Sequence, residues 1–209
     1  MRTFWVFSCF GLMAVMYLIY QSIKCGAEEH KWQEWFFKGA AAAMSALLAG
    51  SGYFSRPAPE RLMILIGLCV FAAADVILDR SFLAGLAAFG LGRLCCCAAM
   101  LISRTPGRIN LIVFLALLCL ILALIPQMKK LAKGRSPLPY QGYALLLAAM
   151  TSLAVTQKPL LLAGAVLFAV SDGMLLFQIV KNIKAKRYDY LCLGSHFLAL
   201  FLIAASTVF

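Results

Sequence analysis

The sequence has 209 residues, of which 64% are hydrophobic and only 13% are charged, and its formal net charge is +11. This composition excludes an ordinary soluble domain, in which about a quarter of the residues are charged. The excess of positive charge does not indicate a nucleic-acid partner, because the basic residues stand between the apolar segments, as the positive-inside rule predicts for membrane proteins.

Eight apolar segments are long enough to cross a membrane, since a hydrocarbon core of ~30 Å requires ~20 apolar residues per helical crossing. The sequence therefore predicts an all-α fold, a polytopic membrane helix bundle with about eight transmembrane helices. In chain order the predicted spans are 3–23, 39–54, 61–79, 82–103, 109–126, 139–157, 159–180 and 189–208. The first is longer than a signal-peptide core and no small-x-small cleavage site follows it, so we interpret it as a span. The connections are brief, so residues 1–209 are predicted to form a single integral membrane domain.

The distribution of basic residues predicts the orientation. With eight spans, twelve Lys and Arg residues lie on one side of the membrane and six on the other. The positive-inside rule places the richer side in the cytoplasm. We therefore expect a multi-pass protein of the bacterial inner membrane with both termini outside. The twelve residues of the richer side are Lys24, Lys31, Lys38, Arg80, Lys129, Lys130, Lys133, Arg135, Lys181, Lys184, Lys186 and Arg187.

Two aspartates lie inside apolar spans that share one pattern. Residues 67–78 and 164–175 both read Gly-x3-Phe-x3-Asp-x2-Leu, with Asp75 and Asp172 as the acidic residues. On a helix these four positions fall within an arc of roughly 80°. A carboxylate at the centre of a membrane span costs on the order of 3 kcal/mol, so it is expected to face protein or water and to mark a functional site. The offset of four spans also favours two parallel four-helix halves related by an axis along the membrane normal.

Few other polar residues lie within the spans, and all of them favour the half of the bilayer next to the richer side. From the rise of 1.5 Å per residue, Arg93 is about 18 Å deep, near mid-membrane, and the others are shallower. We expect these residues to line a polar pocket that opens toward the cytoplasm. Each has a structural alternative as well: an ion pair for Arg93, an interfacial ring for Tyr143, a bond to its own helix for Ser171, and packing for His196. The candidate site comprises Lys38, Asp75, Arg93, Tyr143, Ser171, Asp172 and His196.

No metal site or other cofactor is expected. Most of the eight cysteines lie within spans, and Cys95, Cys96 and Cys97 are consecutive, so their side chains point around the helix. Zinc ligation requires a spacing such as C-x2-C with partners elsewhere. With only His30 and His196 in the chain, a three-histidine site cannot be formed.

At these residues the sequence resembles the lysoplasmalogenase (YhhN-type) family of eight-span membrane proteins, and the resemblance covers most of the length. Four blocks carry it, around the second span, the central aspartate, the seventh span and the last span. They are Trp32-Gln-Glu-Trp35-Phe-Phe37-Lys38; Asp75-x2-Leu78 with Phe82-x2-Gly85-Leu86-x2-Phe89-x3-Arg93; Gly164-Ala-Val-Leu-Phe168-x2-Ser171-Asp172; and Ser195-His196-Phe-Leu198.

The sequence departs from the family's pattern at several of these positions. Arg93 stands where the family usually has His, and His196 stands where it usually has Gln. A guanidinium stays protonated, so Arg93 cannot replace a histidine that moves protons. The remaining departures are Gly39 for Pro, Ala74 for Gly and Cys96 for Tyr.

The resemblance implies hydrolysis of the vinyl ether of a lysoplasmalogen, which releases a fatty aldehyde and a glycerophospho-alcohol. This chemistry needs one carboxylic acid that protonates carbon and one anion that faces the resulting oxocarbenium ion, and paired carboxyls in a pocket of low dielectric supply both. If Arg93 pairs with Asp75, Asp172 is the acid; if Arg93 pairs with Asp172, the roles exchange. The expected partners are a single-chain lysophospholipid, whose phosphate lies near Lys38, Arg80 or Lys181, and the surrounding membrane lipids, with no nucleic acid.

Two other classes of function remain open from the sequence. A non-catalytic member of the same fold would bind a lipid or a partner protein, and the substitution at Arg93 is compatible with that role. A proton-coupled transporter also uses Asp and Arg within the membrane, but it usually has discontinuous helices at its site.

Overall fold

The computed structural model describes residues 2–25, 31–132, 137–181 and 185–209. Within these ranges the chain forms eight helices and no strand. His30, Lys133, Arg135 and Lys184, which entered the sequence analysis, lie outside the described residues. The helices are α1 (Arg2–Cys25), α2 (Lys31–Ser55), α3 (Pro59–Arg80), α4 (Phe82–Ser103), α5 (Arg108–Ala132), α6 (Leu138–Ala154), α7 (Pro159–Lys181) and α8 (Lys186–Val208).

Six of the described helices are long and apolar enough to cross a membrane, namely α1, α3, α4, α5, α7 and α8. The protein is therefore an integral, multi-pass membrane protein. Helix α2 starts with charged residues and is rich in Ala, Gly and Ser, whereas α6 has only 17 residues. Both lie among other helices, since α2 packs against α1, α3 and α8, and α6 packs against α4, α5 and α7. A helix that faces protein on several sides needs less apolar surface than one that faces lipid.

Four helix ends differ from the sequence prediction by three residues or more. Helix α8 begins at Lys186, three residues before the predicted start. Helix α2 begins at Lys31 instead of residue 39, so that Trp32 and Trp35 are part of it. Helix α5 continues through Pro126 to Ala132, although the prediction ended it at that proline. Proline removes only one N–H donor, and membrane helices tolerate this loss where their neighbours compensate for it. Helix α6 ends at Ala154, three residues early, because the chain then turns toward α7.

Packing repeats between the first and the second four helices. Helix α3 packs closely against α4, as α7 does against α8, and the contact of α2 with α8 corresponds to that of α6 with α4. In both close pairs a glycine permits the approach. A Cβ at Gly92 would lie 2.5 Å from the Phe71 ring, and one at Gly164 would lie 2.7 Å from Ile203 Cγ1.

The repeated sequence pattern has matching positions in the fold. The two phenylalanines, Phe71 and Phe168, are fully buried and contact each other, with 5.1 Å between ring centroids. The two aspartates, Asp75 and Asp172, line the same cavity. The shared stripe on α3 and α7 therefore brings equivalent side chains from the two halves together at the centre of the bundle.

Candidate functional site

A cavity of about 380 Å³ is lined by residues from all eight helices. Its wall is mainly apolar, and its polar groups are concentrated toward one end. Six of the seven candidate site residues line it, and the seventh, Arg93, does not. The six are Lys38, Asp75, Tyr143, Ser171, Asp172 and His196.

Asp75 lies on α3 and is paired with a histidine of the opposite half. Its side chain is 2% exposed, and its Oδ2 lies 3.2 Å from Nε2 of His196 on α8. The imidazole lies between two phenylalanine rings, with centroid distances of 5.5 Å to Phe89 and 5.0 Å to Phe168. These rings fix the orientation of the imidazole toward the carboxyl, so that one proton can be shared between Asp75 and His196.

Asp172 lies on α7 and accepts two hydrogen bonds on one oxygen. Arg93 Nη2 donates to Oδ2, and the Tyr143 hydroxyl donates to the same atom over 3.0 Å. The guanidinium carbon of Arg93 lies 4.0 Å from the Tyr143 ring centroid and 4.7 Å from that of Phe168. Cation–π contacts of this kind are stronger in a desolvated setting, and here they add two aromatic neighbours to the charge partner of Arg93.

The pairings of the two aspartates cross between the halves of the molecule. Asp75 belongs to the first half and is paired with a residue of α8, whereas Asp172 belongs to the second half and is paired with a residue of α4. Each carboxyl therefore depends on the opposite half for its basic partner. The two pairs also differ in chemistry, because a guanidinium is permanently charged and only donates hydrogen bonds, whereas an imidazole nitrogen can either donate or accept one.

Arg93 is fully buried and lies behind Asp172 and Tyr143 as seen from the cavity. Its Nε and Nη1 atoms have no hydrogen-bond partner among the described residues. Buried donors without partners are costly, so the position of this side chain is determined by its charge partner and by the two rings. Arg93 was predicted to belong to the site, with an ion pair as the structural alternative; in the structure it pairs with Asp172 and does not line the cavity.

The mouth of the cavity carries charges of both signs. Lys38, which is 4% exposed, donates to Asp79 Oδ1 over 2.9 Å, and Lys24 contacts Asp189 Oδ2 at 3.1 Å. Gln178 also donates to Asp189. The two lysines are thus already paired, and an incoming phosphate would share them with these aspartates.

Ser171 and several residues that the sequence analysis did not include complete the lining. The Ser171 hydroxyl donates to the backbone carbonyl of Cys192 over 2.9 Å, so it ties α7 to α8. Asp79, Asp189 and Lys24 line the cavity but were not among the predicted site residues. A signal for Asp79 was present, because it lies four residues after Asp75 and therefore on the same helical face. No group of three His, Cys, Asp or Glu side chains within the described ranges could hold a metal ion.

Helix α6 shows the order of features along the cavity. Tyr140 lines it near the mouth, and Tyr143, one turn further, contacts Asp172. Leu147, Ala148 and Thr151 continue the lining beyond the carboxyls. Thr151 is eight residues past Tyr143, about 12 Å at the helical rise. The cavity therefore runs from paired charges, past two carboxyls, into an apolar end.

Comparison with known proteins identifies one family. The model of the YhhN family matches residues 33–207, which include every candidate site residue and seven of the eight helices in full or nearly so. No curated protein and no solved structure matches the chain.

Proposed function

The chain belongs to the YhhN family, and from this premise we propose that it is a membrane-embedded hydrolase that cleaves the vinyl ether of a lysoplasmalogen. The products would be a fatty aldehyde and a glycerophospho-alcohol. The proposal rests on membership in this family, on the resemblance described above, and on the order of features in the cavity.

The order of features in the cavity is the observation that carries the proposal. In a lysoplasmalogen the vinyl ether stands between a charged headgroup and an apolar chain. The lining contains the paired charges of Lys38 and Asp79 and the carboxyls of Asp75 and Asp172, and beyond Tyr143, which contacts Asp172, α6 contributes Leu147, Ala148 and Thr151. A lipid with its headgroup at the mouth and its chain in the apolar end would have its reactive bond beside the carboxyls.

In this proposal the Asp75–His196 pair is the acid. It donates a proton to the vinyl carbon remote from the ether oxygen, which leaves an oxocarbenium ion at the carbon bonded to oxygen. The sequence analysis assigned the acid to whichever aspartate Arg93 does not contact, and Arg93 contacts Asp172. A positioned acid of this kind contributes typically 10²–10⁴-fold to a rate.

Asp172 is the anion in this proposal. Arg93 and Tyr143 both donate to Oδ2, so the substrate would face Oδ1. That oxygen stabilises the cation and accepts a proton from the water that adds to it. The resulting hemiacetal then collapses to aldehyde and alcohol, and the proton returns to the Asp75–His196 pair. The net reaction consumes one water, and Arg93 takes part only by positioning Asp172.

The experiment is to incubate the purified protein, in detergent or vesicles, with a lysoplasmalogen and to measure fatty aldehyde. Two control lipids have the same headgroup and chain length, one with an ester linkage and one with a saturated alkyl ether. Aldehyde from the vinyl ether alone is the expected result. Release of fatty acid from the ester lipid, or no reaction with any of the three, would contradict the proposal.

A second candidate function is lipid binding without turnover. The fixed charge of Arg93, in place of the family's usual histidine, favours it, because this residue cannot transfer a proton. Saturable binding of the vinyl-ether lipid without release of aldehyde would support this function over hydrolysis. A transporter has less support, because α3, α4 and α7 run without interruption past the site.

A further inference from the structure

We infer that the alkyl chain of the substrate passes between α5 and α7 into the bilayer, and that Gly173 keeps this passage open. The inference rests on the proposed function, and it identifies a residue that determines specificity for chain length.

Gly173 differs from the glycines at the helix contacts. A Cβ added at Gly92 or Gly164 would lie within 3.0 Å of a neighbouring helix, so those glycines permit close packing. A Cβ added at Gly173 would meet nothing within 4 Å, although the residue follows Asp172 directly and lines the cavity. Glycine weakens a helix, and at Gly173 no close packing offsets this. The absence of a side chain at Gly173 leaves open space beside the residue that carries the Asp172 carboxyl.

Helix α5 is a neighbour of α7 and lines the same cavity as Gly173. It packs against α6 and α7 and, within the described ranges, has no contact with α3 or α4. Leu117, Leu120 and Leu124 on α5 line the cavity. Leu120 is nevertheless 56% exposed, so part of this wall borders the surrounding lipid. The wall is apolar on both faces, as the path of an alkyl chain requires.

The length of the cavity also requires an exit for a long chain. Its apolar end extends about 12 Å past Tyr143, at 1.5 Å per residue of α6. A lipid chain spans about half of a hydrocarbon core of ~30 Å, or roughly 15 Å. A long chain is therefore longer than the apolar end of the cavity. The substrate also comes from the bilayer, and the aldehyde product returns to it. A passage between α5 and α7 lets the chain stay partly in lipid while its vinyl ether reaches Asp172.

The first test fills the passage. In Gly173→Leu the new side chain occupies the open space, and Gly142→Leu is a matched control. Gly142 is also an exposed helical glycine with nothing within 4 Å of an added Cβ, but it does not line the cavity. The measurement is kcat/KM for two vinyl-ether lysolipids with the same headgroup, one with a hexadecenyl and one with a butenyl chain.

We expect Gly173→Leu to lower kcat/KM for the long chain at least ~10-fold more than for the short chain, the lower end of discrimination by methylene groups in apolar pockets. Gly142→Leu should change the two values equally or not at all. Equal losses for both chains in Gly173→Leu, or no loss for either, would overturn the inference.

The second test does not depend on turnover. A saturated alkyl-ether lysophospholipid that carries a diazirine on its terminal carbon cannot be hydrolysed, and photolysis marks the residues next to the chain end. We expect labelled peptides from α5 and α7, and a lower yield of them in Gly173→Leu than in Gly142→Leu. Labels confined to α1 and α2 would contradict the passage. Labels on α5 and α7 without release of aldehyde from a vinyl-ether lipid would retain the passage and reject the hydrolase.

Discussion

At the scale of single residues, the carboxyls of Asp75 and Asp172 share a cavity but have different basic partners. Arg93 gives Asp172 a fixed positive neighbour, whereas His196 gives Asp75 a neighbour that can gain or lose a proton. Family members usually have histidine at the position of Arg93 and glutamine at that of His196, according to the resemblance described above. In this chain the histidine therefore stands in the opposite half, beside the other aspartate. Under the proposed function, the proton donor is therefore on the side of Asp75, where this histidine lies.

The first prediction concerns the two aspartates. Asp75→Asn and Asp172→Asn should each lower turnover of the vinyl-ether lipid at least ~100-fold, because an amide neither donates an acidic proton nor carries negative charge. The measurement is the rate of aldehyde release by protein whose helical circular dichroism matches the unsubstituted chain. A folded variant that retains most of its activity would assign that aspartate a structural role.

The second prediction concerns the pair of Arg93 and Asp172. Arg93→Gln leaves the carboxylate of Asp172, whose side chain is 13% exposed, without its charge partner. Breaking a buried pair typically costs about 3–5 kcal/mol, and we expect a loss at the lower end of this range. The double variant Arg93→Gln with Asp172→Asn removes both charges and should recover a large part of this loss. Thermal unfolding in detergent measures both, and additive losses in the double variant would show that the two residues are not coupled.

The aspartates could be found from the sequence, whereas their partners could not. Asp75 and Asp172 are marked by the repeated stripe and by the cost of a charge in hydrocarbon. Arg93 lies on α4, between α3 with Asp75 and α7 with Asp172 in the sequence. Its estimated depth in the membrane therefore allowed it to pair with either aspartate. The packing of α4 against α6 and the position of α7 decide which aspartate Arg93 contacts. Arg93 and Asp172 are 79 residues apart in the sequence, so local sequence patterns do not reveal this pairing.

At the scale of helices, close approach depends on residues without side chains. The third prediction is that Gly92→Ala destabilises the protein by about 1–3 kcal/mol, because the added Cβ would lie 2.5 Å from the Phe71 ring. Gly11→Ala is the control, since an added Cβ at Gly11 meets nothing within 4 Å. The measurement is thermal unfolding in detergent. A loss in Gly11→Ala as large as that in Gly92→Ala would contradict the packing role.

The existence of the eight helices was predictable, and their ends were less so. Hydrophobic length finds α3, α4, α7 and α8 within a few residues. It fails at the start of α2, because Lys38 and the tryptophans before it are polar or amphipathic and still helical. It fails at Pro126 because a proline marks a helix end in water more reliably than in a membrane.

At the scale of the whole molecule, orientation in the membrane is the fourth prediction. The twelve-to-six distribution of Lys and Arg places both termini outside the cytoplasm of a bacterial cell. A reporter that is active only in the cytoplasm should therefore be silent when fused after Phe209, and it should be active when inserted between Arg80 and Phe82. Strong signal from the terminal fusion would contradict the orientation or the number of spans.

The crossed pairings of the two aspartates also have a consequence for biogenesis. A ribosome makes Arg93 before Asp172, which lies 79 residues later, and Asp75 before His196, which lies 121 residues later. A nascent chain that has inserted α1–α4 therefore holds a buried acid and a buried base whose final partners do not yet exist. Because α3 and α4 pack closely, we expect Asp75 and Arg93 to neutralise each other temporarily and to separate when α7 and α8 arrive. In a chain truncated after Gly107, Asp75→Asn should then shorten the half-life in a pulse-chase experiment, and equal half-lives would contradict this. The half-made protein would thus be held together by a charge pair that the finished protein does not contain.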